Sequence, residues 1–414
     1  MDLKSNEEKI TRALLVSVDT GDFDAESSLA ELFELVESAG AEPVFSVCQK
    51  LQRPETATYV GSGKLLEITE ICKDQEIDLL VFDCELTPSQ INNIEDATDV
   101  RVIDRTMLIL DIFALRAKSK EGKVQVELAQ LKYLLPRLTG KGIAMSRLGG
   151  GIGTRGPGET KLETDRRHIR RRMETLKNQL ADLEKHRNQL RSRREKDGII
   201  TVAIVGYTNA GKSTLMNLLT DAGVLAQDKL FATLDPTSRA LKLPEGNTVM
   251  LIDTVGLIRR LPHNLVEAFK STLEEAAQSD VILNVCDASS DEAQVHMSVT
   301  KDLLYELGCG DTPVITVLNK CDLLSEELNV PEGNYVQISA KYNKGIDKLL
   351  KTIEENLPVK MKRGEFLIPF SMGGLSAEIR KNGNVFSEEY VNEGIKTDAL
   401  VDIRTYEKIK EFKV

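Results

Sequence analysis

Gly206-Tyr207-Thr208-Asn209-Ala210-Gly211-Lys212-Ser213 is a run whose residue types and spacing could hold a polyphosphate. The glycines let successive backbone N–H groups turn inward around phosphate oxygens, and a helix starting there adds a favourable dipole. Lys212 would neutralise the β- and γ-phosphates, and Ser213 would offer a hydroxyl to Mg²⁺. The motif requires a strand before it and a helix after it. Ile199–Val205 is an apolar, β-type run and Thr214–Leu219 is helical in pattern. Three more motifs follow in order. Asp253-Thr254-Val255-Gly256 ends an apolar strand, which puts Asp253 at the strand's carboxyl end near the metal and Gly256 N–H within reach of the γ-phosphate. Asn319-Lys320-Cys321-Asp322 ends a later strand. A carboxylate at Asp322 can accept from guanine N1–H and N2–H₂, a pair of donors adenine lacks, and polar matching of this kind discriminates by about 10⁴–10⁵. Ser339-Ala340-Lys341 completes the base pocket. Together the four motifs specify a GTP site with Mg²⁺ as cofactor.

The elements that must position these residues are legible in the same way. Strand-like runs at Thr248–Ile252, Val281–Val285, Val314–Leu318 and Tyr335–Ile338 alternate with helical segments at His263–Gln278, Asp291–Leu307 and Gly345–Asn356. This alternation indicates an α/β domain over 198–360. Residues 1–114 show a second α/β pattern, with strands at Ala13–Val18, Val44–Val47, Leu79–Phe82 and Val100–Ile103 and helices around Leu29–Ser38, Leu65–Cys72 and Ser89–Ile94. Gly61-Ser62-Gly63-Lys64 superficially resembles a phosphate loop, but it lacks the first Gly and has Leu65 where Ser or Thr is needed, so a turn opening a helix is expected. Residues 361–414 contain a strand (Phe366–Phe370), a helix (Leu375–Lys381) and two strands joined near Asn392-Glu393-Gly394, a small α+β appendix.

Between the two α/β regions, over 115–197, lie two stripes of apolar residues stepping by four and three. One is Val124, Leu128, Leu131, Leu135 and Leu138. The other is Ile169, Met173, Leu176, Leu180 and Leu183, resumed at Leu190 after Arg187 interrupts it. Narrow 4–3 stripes suit two helices packed side by side. The connection between them, Thr139–Glu159, has 8 glycines in 21 residues, and so long a loop is usually functional or disordered. The net charge of −11 conceals an asymmetry: Leu115–Lys196 holds 22 Lys/Arg against 9 Asp/Glu. A basic hairpin inside an acidic protein points to a localised polyanion site. Hydrophobic residues are 41% of the 414, enough for ordinary cores, and the absence of Trp with 5% aromatics argues against base-stacking platforms. No apolar run approaches the ~18–20 residues of a membrane span. The N-terminal residues lack an apolar signal core, and the six cysteines form no CxxC pair, so a cytoplasmic chain with reduced thiols is expected.

The motifs are similar to those of translation-factor-class GTPases, and longer runs resemble the HflX family of ribosome-associated GTPases. These are Phe231-Ala232-Thr233-Leu234-Asp235-Pro236-Thr237, Asp104–Phe113, Gln125–Leu131 and Gly156–Arg167. The resemblance covers roughly residues 55–345. It implies a factor, expected to be a monomer, that binds the large ribosomal subunit and its rRNA and splits ribosomes stalled under stress, with the N-terminal region reaching toward the peptidyl-transferase centre. Phe231–Thr237 would be the first switch, with Phe231, Ala232, Thr233, Leu234 and Asp235 at the nucleotide, Thr233 joining Ser213 on Mg²⁺ and Asp253 acting through water; Thr237 is the alternative to Thr233. Lys212, Thr233 and Gly256 would then be the catalytic set. Arg155, Arg166, Arg167, Arg170, Arg171 and Arg172 would face rRNA phosphates, while a side-chain-poor tip could enter a narrow RNA cavity.

Leu257 stands where Ras-like enzymes carry a water-orienting Gln. Leucine cannot align a water, so slow intrinsic turnover and activation by a bound partner are expected. His263, nearby in sequence, reads as helix surface or cap. Two alternatives of a different class remain: an RNA-binding assembly or anti-association factor in which nucleotide is mainly structural, and an ATP-using remodeller, which would need a second nucleotide site.

Overall fold

The computed structural model describes residues 10–138, 157–196, 199–220, 237–254, 256–259, 275–310, 312–324, 334–358 and 361–414. The chain divides into two compact units: residues 1–190 with 227–235 and 258–271, and residues 191–226, 236–257 and 272–414. The first α/β region and most of the hairpin share one unit; the nucleotide fold and the appendix share the other. The chain passes from the second to the first between Leu257 and Ile258, directly after the Asp253–Gly256 motif.

The first unit is built on a four-stranded parallel sheet, β1 (Arg12–Asp19), β2 (Glu42–Lys50), β3 (Leu79–Phe82) and β4 (Arg101–Asp104), in the order β2-β1-β3-β4. Near-continuous apolar runs suit strands covered on both faces; Leu14, Val16, Leu80 and Phe82 are fully buried. The connecting helices are α1 (Ala25–Ser38), α2 (Ser62–Asp74) and α3 (Pro88–Thr98), the last closed by a Thr87–Gln90 capping box. Gly61–Lys64 is the turn opening α2. The Gly61 N–H is taken by Gln49 Oε1 (2.9 Å) and Lys64 pairs with Glu67 (2.7 Å), groups a phosphate would otherwise claim. The Asp104–Phe113 run forms the start of α4 (Arg105–Arg116), with Asp104 as its N-cap accepting from Met107 N–H.

The two apolar stripes meet as expected. On α5 (Lys120–Arg137) and α6 (Pro157–Lys196), Val124 and Leu128 close over a fully buried Leu176, flanked by Leu131, Met173 and Leu180. At 1.5 Å per residue, the 40-residue α6 is about 60 Å long. Arg187, which breaks the stripe, donates to Glu121 on α5 at 2.6 Å, and Arg172 grips Glu127 through two bonds of 2.7 and 2.8 Å. Both ion pairs staple the hairpin. The glycine-rich tip lies outside the described residues, apart from its last three positions at the start of α6.

The second unit carries a six-stranded sheet in the order β10-β9-β8-β5-β7-β6. Its strands are β5 (Thr201–Gly206), β6 (Thr237–Lys242), β7 (Thr248–Asp253), β8 (Val281–Asp287), β9 (Val314–Asn319) and β10 (Tyr335–Gln337). All pairings are parallel except β6 with β7. The polar edge strand β6 has no apolar run to mark it. Helices α7 (Lys212–Thr220), α8 (Ala293–Glu306) and α9 (Ile346–Glu355) follow the expected pattern, whereas most of the helix expected at His263–Gln278 lies outside the described residues. The appendix is a three-stranded antiparallel sheet, β11 (Met361–Ile368), β13 (Gly394–Asp402) and β12 (Gly383–Val391), with α10 (Gly373–Asn382) and α11 (Ile403–Ile409). Its core is Phe366, Ile368, Ile379, Ala399, Val401 and Ile409. The short α11 carried no helical signal in the sequence. Among the described residues no helix is long and apolar enough to cross a membrane. None of the six cysteines forms a disulfide.

Candidate nucleotide site

The site forms where β5 ends and α7 begins, and its glycines are fixed by close approach. At Gly206 (φ +145°) a Cβ would lie 2.0 Å from the Val285 carbonyl oxygen of β8. At Gly211 (φ +90°) it would lie 2.2 Å from the Asn319 amide nitrogen. No side chain fits at either position. Asn209, between them, also takes a left-handed conformation (φ +60°). The loop is thus bent by its contacts with the two neighbouring motifs as well as by its own composition.

Asn319 is the keystone. It is buried; its Nδ2 donates to the Ala210 carbonyl (2.9 Å) and its Oδ1 accepts from the Ala340 N–H (3.0 Å). It therefore ties the phosphate loop to the Ser339–Lys341 motif. Ser339 in turn donates its hydroxyl to Asp322 Oδ1 (2.5 Å), which orients that carboxylate. Lys320 takes a left-handed conformation (φ +62°) and pairs with Asp287 at 2.7 Å, while Cys321 N–H bonds the Ile338 carbonyl. The base-pocket residues are assembled by hydrogen bonds that no spacing argument specifies. Lys341, the last of them, is exposed.

At the phosphate end, Lys212 is buried and its Nζ donates to the Tyr207 carbonyl (2.7 Å). Burial lowers its ammonium to about 8, with nearby Asp253 opposing the shift. Ser213 Oγ donates to Asp253 Oδ2 at 3.3 Å. A hydroxyl and a carboxylate at this spacing are the hard oxygen donors that suit Mg²⁺, which is commonly held by one or two carboxylates plus substrate phosphates. Thr254 spends its hydroxyl on the Ile204 carbonyl (2.7 Å), so its side chain ties β7 to β5. Gly256 packs against the loop: a Cβ there would meet Thr208 at 2.7 Å and Lys212 Nζ at 3.1 Å. Leu257 extends the ladder one step further, donating its N–H to the Gly206 carbonyl (3.0 Å) and accepting from Thr208 N–H (2.8 Å).

Of the predicted site residues, Gly206–Ser213, Asp253, Thr254, Gly256, Asn319–Asp322 and Ser339–Lys341 fall among the described residues. Phe231, Ala232, Thr233, Leu234, Asp235, Val255, Arg155 and His263 lie outside them. Thr237, the alternative switch residue, is in β6 opposite Asp253. The hairpin arginines are divided: Arg167, Arg170 and Arg171 are exposed, Arg166 is half-buried, and Arg172 is committed to Glu127. One contact was not foreseen. The Tyr207 ring stacks on His296 of α8 (centroids 3.8 Å apart, planes 14° apart), which anchors the loop's second residue. Nothing local to His296 signals it, since the partners are 89 residues apart in sequence.

The chain is similar to known proteins along most of its length. A family model described as GTP-binding GTPase N-terminal matches residues 26–114, one described as GTP-binding GTPase Middle Region matches 116–194, and one described as 50S ribosome-binding GTPase matches 201–320. The GTPase HflX of Caldanaerobacter subterraneus subsp. tengcongensis is 51% identical over 403 residues, covering 97% of this chain and 93% of the relative. The GTPase HflX of Escherichia coli K12 is 43% identical over 364 residues, covering 86% of this chain and 85% of the relative. A crystal structure of a GTP-binding protein from the hyperthermophilic archaeon Sulfolobus solfataricus, in complex with GDP, is 27% identical with a TM-score of 0.46, covering 84% of this chain and 98% of that one.

Proposed function

The chain belongs to the HflX family of GTPases, and from that premise we propose how its own residues serve the reaction and what the reaction is for. The protein hydrolyses GTP. The backbone of Gly206–Ser213 wraps the phosphates, Lys212 neutralises charge at the β/γ bridge, and Asp322, oriented by Ser339, selects guanine. Ser213, Thr233 and Asp253 would hold Mg²⁺, which would supply positive charge to the nucleotide phosphates. Gly256 N–H meets the γ-phosphate. Leu257 provides neither donor nor acceptor in its side chain, so a bound partner must order the attacking water.

That partner is the large ribosomal subunit, in keeping with the description of the family model matched by residues 201–320. The hairpin presents Arg167, Arg170 and Arg171 to rRNA phosphates, and the glycine-rich tip enters an RNA cavity. GTP-bound protein splits stalled ribosomes, and hydrolysis releases it. The observation that carries the nucleotide part of this reading is the Asn319 tie: one side chain bonds the phosphate loop and the base-recognition motif together, an arrangement whose use is to hold one nucleotide at both ends. The splitting activity is tested by sedimenting stalled ribosomes with the protein and a non-hydrolysable GTP analogue. Separated subunits with the analogue, and intact ribosomes with GDP, are expected. Intact ribosomes in both leave a GTPase that binds without splitting.

A further inference from the structure

Within the second unit, the β6–β7 hairpin has site residues at its open end and the appendix at its closed end. Thr237, which opens β6, stands opposite Asp253, which closes β7, and six residue pairs run from there to the turn without a shift of register. At about 3.4 Å per residue, the turn lies about 17 Å along the strands from Asp253. β7 is paired on both sides, to β5 and to β6, whereas β6 pairs with β7 alone, so β6, at the edge of the sheet, is the strand that can shift. The turn is tight. Leu243 N–H donates to the Asn247 carbonyl (2.8 Å) and Gly246 N–H to the Leu243 carbonyl (3.0 Å), and Gly246 takes φ +96°, a conformation that favours glycine.

Two grips close on this turn. Glu354, buried in the last turn of α9, accepts from the Asn247 side-chain amide (2.8 Å) and from the Glu245 N–H (3.2 Å). The second grip belongs to the appendix. A Cβ at Gly246 would lie 3.4 Å from the ring tip of Phe386 and 3.9 Å from Leu400. Phe386 is the extra residue of a bulge in β12: Val385 faces Ala399 and Ser387 faces Asp398, with Phe386 between them facing neither. A bulge of this kind re-aims a side chain. Arg363 of β11 lies over the ring, 4.2 Å from its centroid, and is itself held by Asp398 through two bonds of 3.1 and 2.7 Å. Phe386 is no part of the appendix core around Phe366 and stays 44% exposed, so the appendix gains little from the bulge for its own folding.

We propose that the appendix reads the nucleotide state of the site through this hairpin. The proposal rests on the reading given above, in which the γ-phosphate side of the site engages Thr233, four residues before β6, and Gly256 N–H, three residues after β7. GDP lacks the γ-phosphate, so the two nucleotides bear differently on the open end of the hairpin. An unbroken antiparallel ladder shifts as a body more readily than it shears, because shear breaks its paired hydrogen bonds. The shift arrives at the turn, where Glu354 and Phe386 meet it. The coupling is reciprocal: a partner that displaces the appendix changes the preference for GTP over GDP by the same factor as the nucleotide changes that partner's affinity.

The chain contains no Trp, so Phe386→Trp places a single reporter at the contact in the full-length protein. Tyr390→Trp, on the same strand and 69% exposed, is the control. Each variant is titrated with GDP and with a non-hydrolysable GTP analogue. The expected result is an emission maximum that differs between the two nucleotides in Phe386→Trp and does not differ in Tyr390→Trp. Identical emission with both nucleotides from Phe386→Trp overturns the proposal, and so does an equal difference from Tyr390→Trp. Glu354→Gln decides the matter if Phe386→Trp does not fold. Gln keeps one oxygen for the Asn247 amide but turns an NH₂ toward the Glu245 N–H, which breaks half of the grip. The ratio of affinities for the GTP analogue and GDP should then change about fivefold, the low end of what coupled sites show. An unchanged ratio overturns the proposal. Wild-type protein that binds neither the GTP analogue nor GDP would instead overturn the reading of the site itself.

Discussion

The phosphate loop and the hairpin, in the function proposed, both meet phosphate, and their charge is arranged in opposite ways. In the loop the charge is single and buried: one lysine, bonded to a carbonyl, surrounded by glycines that neighbouring backbone and Asn319 leave no room to replace. On α6 the charge is multiple and exposed, carried on a helix whose buried apolar seam, among the described residues, lies around Leu176. A buried site is specific because every donor already has a fixed direction. An exposed row of arginines has affinity but little direction, and its energy comes from counterions released when phosphates are neutralised. The phosphate loop and base-recognition motifs thus carry their own fixed geometry, whereas the exposed Arg167, Arg170 and Arg171 of α6 have, among the described residues, no such hydrogen-bond ties.

This contrast predicts that one substitution suffices in the first region and several are needed in the second. Asp322→Asn should lower GTP affinity by about a thousandfold, two charge-assisted bonds being worth about 1.5–3 kcal/mol each. It should also create affinity for xanthosine triphosphate, because Ser339 keeps the amide oxygen and leaves the amide nitrogen to face the base. Titration with both fluorescent nucleotides checks this, and an unchanged preference would remove Asp322 from the pocket. Reversing Arg167, Arg170 and Arg171 together should weaken binding to large subunits by about ten- to a hundredfold at moderate salt, and lower the log–log salt slope by about 0.7–0.9 per lost phosphate contact. GTP binding should survive. A salt series of sedimentation assays measures the slope, and a wild-type slope would make these arginines a solvated face. Arg172 is left out of that set because its reversal would also break the staple to Glu127.

The smallest effect concerns protonation. Burial holds Lys212 at about 8, below its ordinary value, and a bound triphosphate favours its charged form. Binding must then take up a proton above that pH, so GTP affinity should fall about threefold between pH 7.5 and 8.5 and more steeply beyond. A profile flat from pH 7.5 to 9.5 would place the lysine's titration elsewhere.

The sequence revealed most where structure repeats a local rule. Apolar runs located nearly every strand of the two α/β sheets, the 4–3 stripes located the hairpin seam, and the motif spacings picked out residues that hydrogen bonds from Asn319 and Ser339 tie together. It was silent where partners are distant or signals weak. The polar edge strand β6 and the seven-residue α11 carry too little periodicity to register. The Tyr207–His296 stack and the Asn319 tie join residues about a hundred positions apart, and no local pattern records them. Arg105 was visible only as a letter in a motif. Its burial against Asp83 and Glu31 depends on three strands and a helix coming together first. The crossing between the two compact units at Leu257–Ile258 likewise follows contacts that composition does not encode.

The central claim is that this GTPase is completed by its partner, and its most direct measurement is GTP turnover with and without purified large ribosomal subunits. Leu257, buried and apolar where a water must be oriented, predicts that the isolated protein turns over far below about 1 s⁻¹ and that large subunits accelerate it strongly while small subunits do not. Turnover at about 1–100 s⁻¹ by the protein alone, with no further gain from large subunits, would contradict it.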